Sequence, residues 1–228
     1  MPKPGNLATV AYWLVALAAL GAAAAMLAFY TPTEQTMGPI QKIFYLHMPA
    51  AVNTLLCGAV VFVASLGFLW RRNLWWDDLA SAAATVAVLL GLIVLATGMI
   101  WAHQAWGVWW TWSPRLTFTL ILWLLYVVYV LVRPAIESRD RRALVCAVYG
   151  LVAFLDVPLV YLSARLIPQD IHPASIGLDG SMKLTLAVWF VPVTLIACGL
   201  VAARYRRNRR ERIDEASRAG QGGAGMGG

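Results

Sequence analysis

Two histidines, a crowd of tryptophans and one arginine are the side chains of this chain with the most chemistry to offer. His47 stands in Lys42-Ile-Phe-Tyr45-Leu-His47-Met-Pro49-Ala-Ala51, and His172 stands in Pro168-Gln-Asp170-Ile-His172-Pro173. Between them runs Trp101-Ala-His103-Gln-Ala-Trp106-Gly107-Val-Trp109-Trp110-Thr-Trp112-Ser113-Pro114-Arg115-Leu116-Thr117. Neutral imidazole nitrogens are metal ligands. Indole faces are broad and apolar, and a guanidinium pairs with carboxylates in a two-pronged fork. The combination suits a metal held in a large flat organic disc that carries acidic groups.

The elements that must position these groups follow from composition. Hydrophobic residues make up 61% of 228 positions and charged residues only 13%, a membrane protein's balance. A helix needs about 20 apolar residues to cross a bilayer. Six stretches qualify: Val10–Tyr30, His47–Trp70, Leu79–Trp101, Pro114–Val132, Ala143–Ser163 and Lys183–Ala203. The expected fold is therefore an all-α membrane protein with six transmembrane helices. The first stretch is too long for a signal-peptide core and is read as an uncleaved span. Residues 1–203 form one membrane domain, and the arginine-rich, then Gly-rich segment 204–228 is expected to be a disordered tail.

Charge placement orients the domain. Lys3, Arg71, Arg72, Arg133, Arg139, Arg141, Arg142 and the C-terminal arginines fall on one side, against Lys42, Arg115, Arg165 and Lys183 on the other. The positive-inside rule then makes both termini cytoplasmic. The net charge of +7 reflects this topology and attraction to anionic headgroups of the lipid bilayer, so no nucleic-acid partner is expected. Loops Thr31–Leu46, Ala105–Ser113 and Ala164–Met182 face the outer side, which in a bacterium is the periplasm, and locate the chain in the inner membrane.

His47 and His172 are separated by an even number of crossings and share that outer face with the tryptophan loop near residues 105–117. Iron in a haem accepts two axial nitrogens, the macrocycle needs apolar cover, and its propionates pair with cations such as Arg115, Lys42, Arg165 or Lys183. His103 is read as an interface residue or a propionate partner. At helical spacing Trp106, Trp109 and Trp110 share a face, which either lies flat on the bilayer or covers a bound disc. Trp13, Trp70, Trp75 and Trp76 read as an aromatic belt.

Other chemistries find little support. Cys57, Cys146 and Cys198 lie within spans, and the absence of Cys-x-x-Cys-His excludes covalent haem attachment by this chain. Walker A, Gly-x-Gly-x-x-Gly and His-Glu-x-x-His patterns are missing, so nucleotide hydrolysis and zinc proteolysis have no visible residues, and no catalytic residue is assigned. Asp156, before Pro158 in the fifth span, is the one candidate for a secondary-transport site. A b-type electron carrier with two histidine ligands is the stronger rival, although such carriers place their histidines inside helices.

The run Trp106-Gly107-Val-Trp109-Trp110-Thr-Trp112-Ser113-Pro-Arg115-Leu116-Thr117 resembles the signature Trp-Gly-x-x-Trp-x-Trp-Asp-x-Arg-Leu-Thr of haem-handling membrane proteins in cytochrome c assembly. With six spans and the segments Tyr45-Leu-His47-Met-Pro49-Ala-Ala51 and Asp156-Val-Pro158-Leu-Val-Tyr161-Leu-Ser163, the chain is most similar to the heme exporter protein C family. The resemblance implies that His47 and His172 are axial ligands, the metal-binding pair. It implies that Trp106, Gly107, Trp109, Trp110, Trp112 and Arg115 form the haem-binding loop. The implied cargo is non-covalent haem b in transit. The implied partners are a periplasmic membrane-anchored haem chaperone, a small single-span accessory protein, and the ATP-binding cassette subunits of a maturation complex. Two departures stand out. Ser113 replaces the signature aspartate, and Arg165-Leu166-Ile167-Pro168 stands where family members often carry two tryptophans before the second histidine.

Overall fold

The computed structural model describes residues 4–166 and 177–224. Helices α1 (Pro4–Phe29), α2 (Phe44–Arg71), α3 (Leu74–Trp106), α4 (Pro114–Val132), α5 (Arg139–Phe154), α6 (Asp156–Leu166) and α7 (Gly180–Ala224) follow one another, with no strands among the described residues. They supply six segments long and apolar enough to cross a membrane, α5 and α6 together making the fifth. The chain is thus an all-α membrane protein, as its composition predicts.

The fifth span is broken for a local reason. Pro158 lacks an N–H, so the Phe154 carbonyl loses its helical donor. The chain tightens at Leu155, whose N–H donates to Val152 O at 3.1 Å, and a new helix opens on Asp156. Pro49 does the same to the Tyr45 carbonyl near the start of α2, and there the helix continues.

Helices α2 and α3 form the central hairpin. Its turn is two residues: Arg72 N–H donates to Phe68 O at 2.8 Å and closes α2, and the Asn73 side chain accepts from Trp75 N–H at 3.1 Å and caps α3. An antiparallel pair joined this tightly sets side by side the residues equally far from the turn. His47 and Gly98 are such a pair. The first half of α3 carries buried Ala80, Ala82, Ala83, Ala84 and Ala87, small residues that let neighbouring helices approach closely. Trp123 Nε1 of α4 donates to Val88 O at 3.0 Å, and Asn53 of α2 donates to Thr194 Oγ1 of α7 at 3.0 Å. α3 is the most enclosed span and α1 the least.

Two of the tryptophans assigned to an aromatic belt pack inward. A Cβ on Gly67 would lie 2.5 Å from the Trp76 ring, and one on Gly199 would lie 2.9 Å from Trp13. Trp76 is pinned by its stack on Trp75, 3.8 Å between centroids. Gly67→Ala is therefore expected to cost about 1–3 kcal/mol through overpacking, read as a lowered unfolding midpoint in detergent and an altered near-ultraviolet tryptophan signal. Trp70 is exposed and fits the belt.

The end opposite the tryptophan loop is cross-tied by ion pairs. Arg133 at the end of α4 holds Asp77 of α3 with two bonds of 2.8 and 2.7 Å. Arg212 holds Asp78 at 2.8 Å, and Asn208 donates to the Asp78 carbonyl at 3.0 Å. α7 passes Ala203 without a break and runs to Ala224, so these last contacts come from a helix that enters the segment expected to be a disordered tail. Arg204, Asn208 and Arg212 recur every four residues along one face, and two of them bind the start of α3. The segment has few apolar residues, but polar docking and pairs such as Arg207–Glu211 take the place of a core.

Candidate functional site

The elements expected to face outward meet at the end where α2 begins and α3 finishes. His47 lies in the first turn of α2, half-buried, and its Nδ1 is 2.9 Å from Thr97 Oγ1 of α3. Thr97 Oγ1 donates to Ile93 O at 2.6 Å, one helical turn back. The ring lies over Gly98, where an added Cβ would come within 3.4 Å of His47 Cε1. Thr97 and Gly98 were not singled out in the sequence. Only the equal distance of His47 and Gly98 from the α2–α3 turn could have pointed to them.

The tryptophan loop begins where α3 is cut short. Gly107 adopts φ 74°, a left-handed conformation that glycine takes at little cost, and its N–H returns to His103 O at 3.0 Å. The helix therefore ends at Trp106, and Trp109 and Trp110 do not continue its face. That corrects the helical-face reading of the three indoles. Instead the loop is fixed by ring contacts. Trp109 stacks on His103 at 4.1 Å and 25°, Trp106 meets Trp101 edge-on at 4.8 Å, and Trp110 meets Trp112 edge-on at 5.9 Å. Trp109 and Trp112 remain 58% and 76% exposed. His103 thus holds one indole of the loop by stacking.

The segment from the loop into α4 holds an excess of shielded polar groups. Trp110 Nε1, Thr111 Oγ1, Ser113 Oγ and Thr117 Oγ1 are all shielded from solvent and have no hydrogen-bond partner among the described residues. Buried polar groups are nearly always paired, so four without a partner on one short segment are unusual. Ser113 is the N-cap of α4 yet makes no side-chain cap bond, so the hydroxyl does not take over the capping role open to the signature's aspartate. Arg115 follows in the first turn of α4, half-buried.

The site has a vertical dimension that sequence alone did not give. Thr97 precedes Trp106 by two and a half turns of α3, about 13 Å at 1.5 Å per residue, so the His47 ring lies well below the tryptophan loop. Of the cations expected on the outer side, Lys42 Nζ donates to the Leu27 carbonyl at 3.2 Å and ties the segment before α2 to α1, while Lys183 is exposed. Asp179 caps α7 by accepting from Ser181 Oγ at 2.6 Å and Met182 N–H at 2.7 Å, and these donors hold its carboxyl below the usual carboxylate range. Folding therefore favours the ionised form. The cap is complete above the ordinary carboxylate range and fades as pH falls through the lowered value. His172 lies outside the described residues. Asp156 is buried at the start of α6, with Oδ2 lacking a partner among the described residues.

Comparison with known proteins places these features in a family. The model of the family described as heme exporter protein C matches residues 5–219. The chain is similar to the heme exporter protein C of Rhodobacter capsulatus, 35% identical over 188 residues, 80% of this chain and 77% of that one. It is similar to that of Paracoccus denitrificans, 35% identical over 189 residues, 82% and 78% of the two chains. It is similar also to that of Bradyrhizobium diazoefficiens, 32% identical over 209 residues, 87% and 78%. A match spanning nearly the whole chain, with the signature loop mounted at the end of α3 and His47 packed against α3 below it, leaves a plain conclusion: this chain belongs to the heme exporter protein C family.

Proposed function

We propose that this protein binds haem on the periplasmic side of the inner membrane and hands it to a membrane-anchored haem chaperone during c-type cytochrome biogenesis. His47 and His172 supply the two axial nitrogens, and the tryptophan loop of Trp106, Gly107, Trp109, Trp110, Trp112 and Arg115 covers the macrocycle. The observation that carries this reading is the loop itself. It is braced by the Gly107 cap and the His103–Trp109 stack, shows two exposed indoles, and is accompanied by four shielded polar groups without partners among the described residues. Indole faces suit a porphyrin plane, and the orphaned hydroxyls and the Trp110 N–H suit its propionates, with Arg115 as their counter-charge. His47 lies deeper than the loop, which fits a disc standing edge-up, its iron at the imidazole and one edge at the indoles. Such an edge is reachable by an acceptor. Haem is cargo in this reading, so the residues must hold it against loss to lipid and still release it.

Both termini lie on the cytoplasmic side in this topology, together with the Asp77–Arg133 and Asp78–Arg212 ties. The small single-span accessory protein and the ATP-binding cassette subunits then act as release machinery. The test is transfer. Haem-loaded protein in detergent, mixed with the purified acceptor chaperone, should lose its haem absorbance to the acceptor fraction, and Trp109→Ala/Trp112→Ala should slow or abolish that transfer. Retention of haem by the donor under all conditions would reject delivery.

A second reading gains from one observation. His47 sits inside a helix and faces a neighbouring span, as in b-type electron carriers. A carrier would exchange electrons rapidly with a quinol analogue and transfer no haem, so the same preparation separates the two readings.

A further inference from the structure

We propose that Thr97 is a positioning residue for His47, fixing the imidazole in the tautomer that carries its proton on Nδ1 and so reserving Nε2 as the coordinating nitrogen. The proposal rests on the reading of His47 as a haem ligand and adds to it a group on a different helix.

For a neutral His47 ring, the hydrogen positions around Thr97 point to one arrangement. Its hydroxyl has a single hydrogen and three neighbours: Ile93 O at 2.6 Å, Val94 O at 3.2 Å and His47 Nδ1 at 2.9 Å. A carbonyl has only lone pairs, so a separation of 2.6 Å between two oxygens is stable only with the hydroxyl hydrogen between them. With that hydrogen committed to Ile93, the 2.9 Å contact to Nδ1 is a hydrogen bond only if the ring nitrogen donates. A neutral imidazole has one N–H, so the proton on Nδ1 leaves Nε2 with the lone pair. Reversing the donor would set two oxygen lone pairs against each other at 2.6 Å. Gly98 lies against the same ring, where an added Cβ would sit 3.4 Å from Cε1, at the near limit of ordinary contact.

The acceptor's chemistry suits a cargo. Histidines that hold a resident metal commonly donate their second N–H to a carboxylate or a carbonyl, which raises ligand basicity and affinity. A neutral hydroxyl, itself already donating elsewhere, orients the ring while adding less electron density. The site gains a defined tautomer and direction without the tightest grip, which fits iron that must later leave.

The test uses the full-length protein in detergent, prepared haem-free with ¹⁵N-labelled histidine, the His47 signals being assigned by their loss in His47→Gln. Wild type should show His47 protonated at Nδ1. Thr97→Val, nearly the same shape but without the hydroxyl, should move His47 towards the Nε2-protonated form and lower haem affinity about 10–100-fold. Thr97→Ser should restore both, which a packing role for the threonine methyl would not. A wild-type His47 protonated at Nε2, or a Thr97→Val protein unchanged in both tautomer and affinity, overturns the proposal. Full haem retention by His47→Ala would instead overturn the ligand reading, and the coordination half of the proposal with it, leaving the nitrogen spectrum to decide the Thr97 bond alone.

Discussion

His47→Ala is expected to strip the purified protein of most of its haem, and free imidazole in the buffer is expected to restore part of it. The ring is a proposed iron ligand, so its loss should exceed the roughly 10–100-fold affinity change typical of removing a group behind a ligand. Rescue follows from the seat. Thr97 and Gly98 remain on α3 when the imidazole is cut away, and the space vacated has the shape of the missing ring. The helix itself should survive, because alanine is the best helix former and His47 lies one turn inside α2. A haem-to-protein ratio from the reduced pyridine complex, with circular dichroism as a folding control, reads the outcome. A ratio equal to wild type would remove His47 from the site.

Asp77→Ala should be the most damaging substitution at the opposite end, destabilising the protein by about 3–5 kcal/mol. Asp77 is 6% exposed and its partner Arg133 only 14%. Both carboxylate oxygens are engaged by the guanidinium, which also lies 5.7 Å from the centre of the Tyr129 ring. Deleting the acid leaves a buried cation with no counter-ion, and that stranded charge, more than the lost bond, sets the size of the effect. Asp77→Ala/Arg133→Leu should therefore recover much of the loss, since both charges leave together. Unfolding midpoints in detergent for the two single variants and the double variant test this. A double variant as unstable as Asp77→Ala would mean that the pair acts through something other than charge compensation. By contrast Arg207–Glu211 is exposed on both sides, and breaking it should change the midpoint little.

Much of this architecture is legible in the sequence because a bilayer is an undiscriminating solvent. Around 20 apolar residues in a row have few other fates, so the six spans can be read directly and their ends only loosely. Misreadings arise where local chemistry overrides pattern. The spacing of Trp106, Trp109 and Trp110 is helical, yet Gly107 in a left-handed conformation ends the helix between the first and the second. The segment from Arg204 looks too polar to order, yet Arg212 and Asn208 find Asp78 across the bundle. Trp13 and Trp76 look like headgroup anchors but fill notches at Gly199 and Gly67.

The candidate site divides along the same line. Its tryptophans and His47 stand out because such residues are rare and oddly placed. Thr97 does not, since a threonine bonded to the carbonyl a turn behind it is ordinary in a membrane helix. Only the tight turn at Arg72–Asn73, which brings α3 back along α2, reveals that this threonine faces the imidazole. His172 rests on its motif and its proposed side of the membrane, and so bears the most weight in any test.

The central claim is that His47 and His172 grip the same iron, and electron paramagnetic resonance of the ferric haem tests it most directly. The wild-type protein should give a low-spin signal of two axial imidazoles, while His47→Ala and His172→Ala should each convert the remaining haem to a high-spin form that added imidazole returns to low spin. A low-spin signal that persists unchanged in either variant would contradict it.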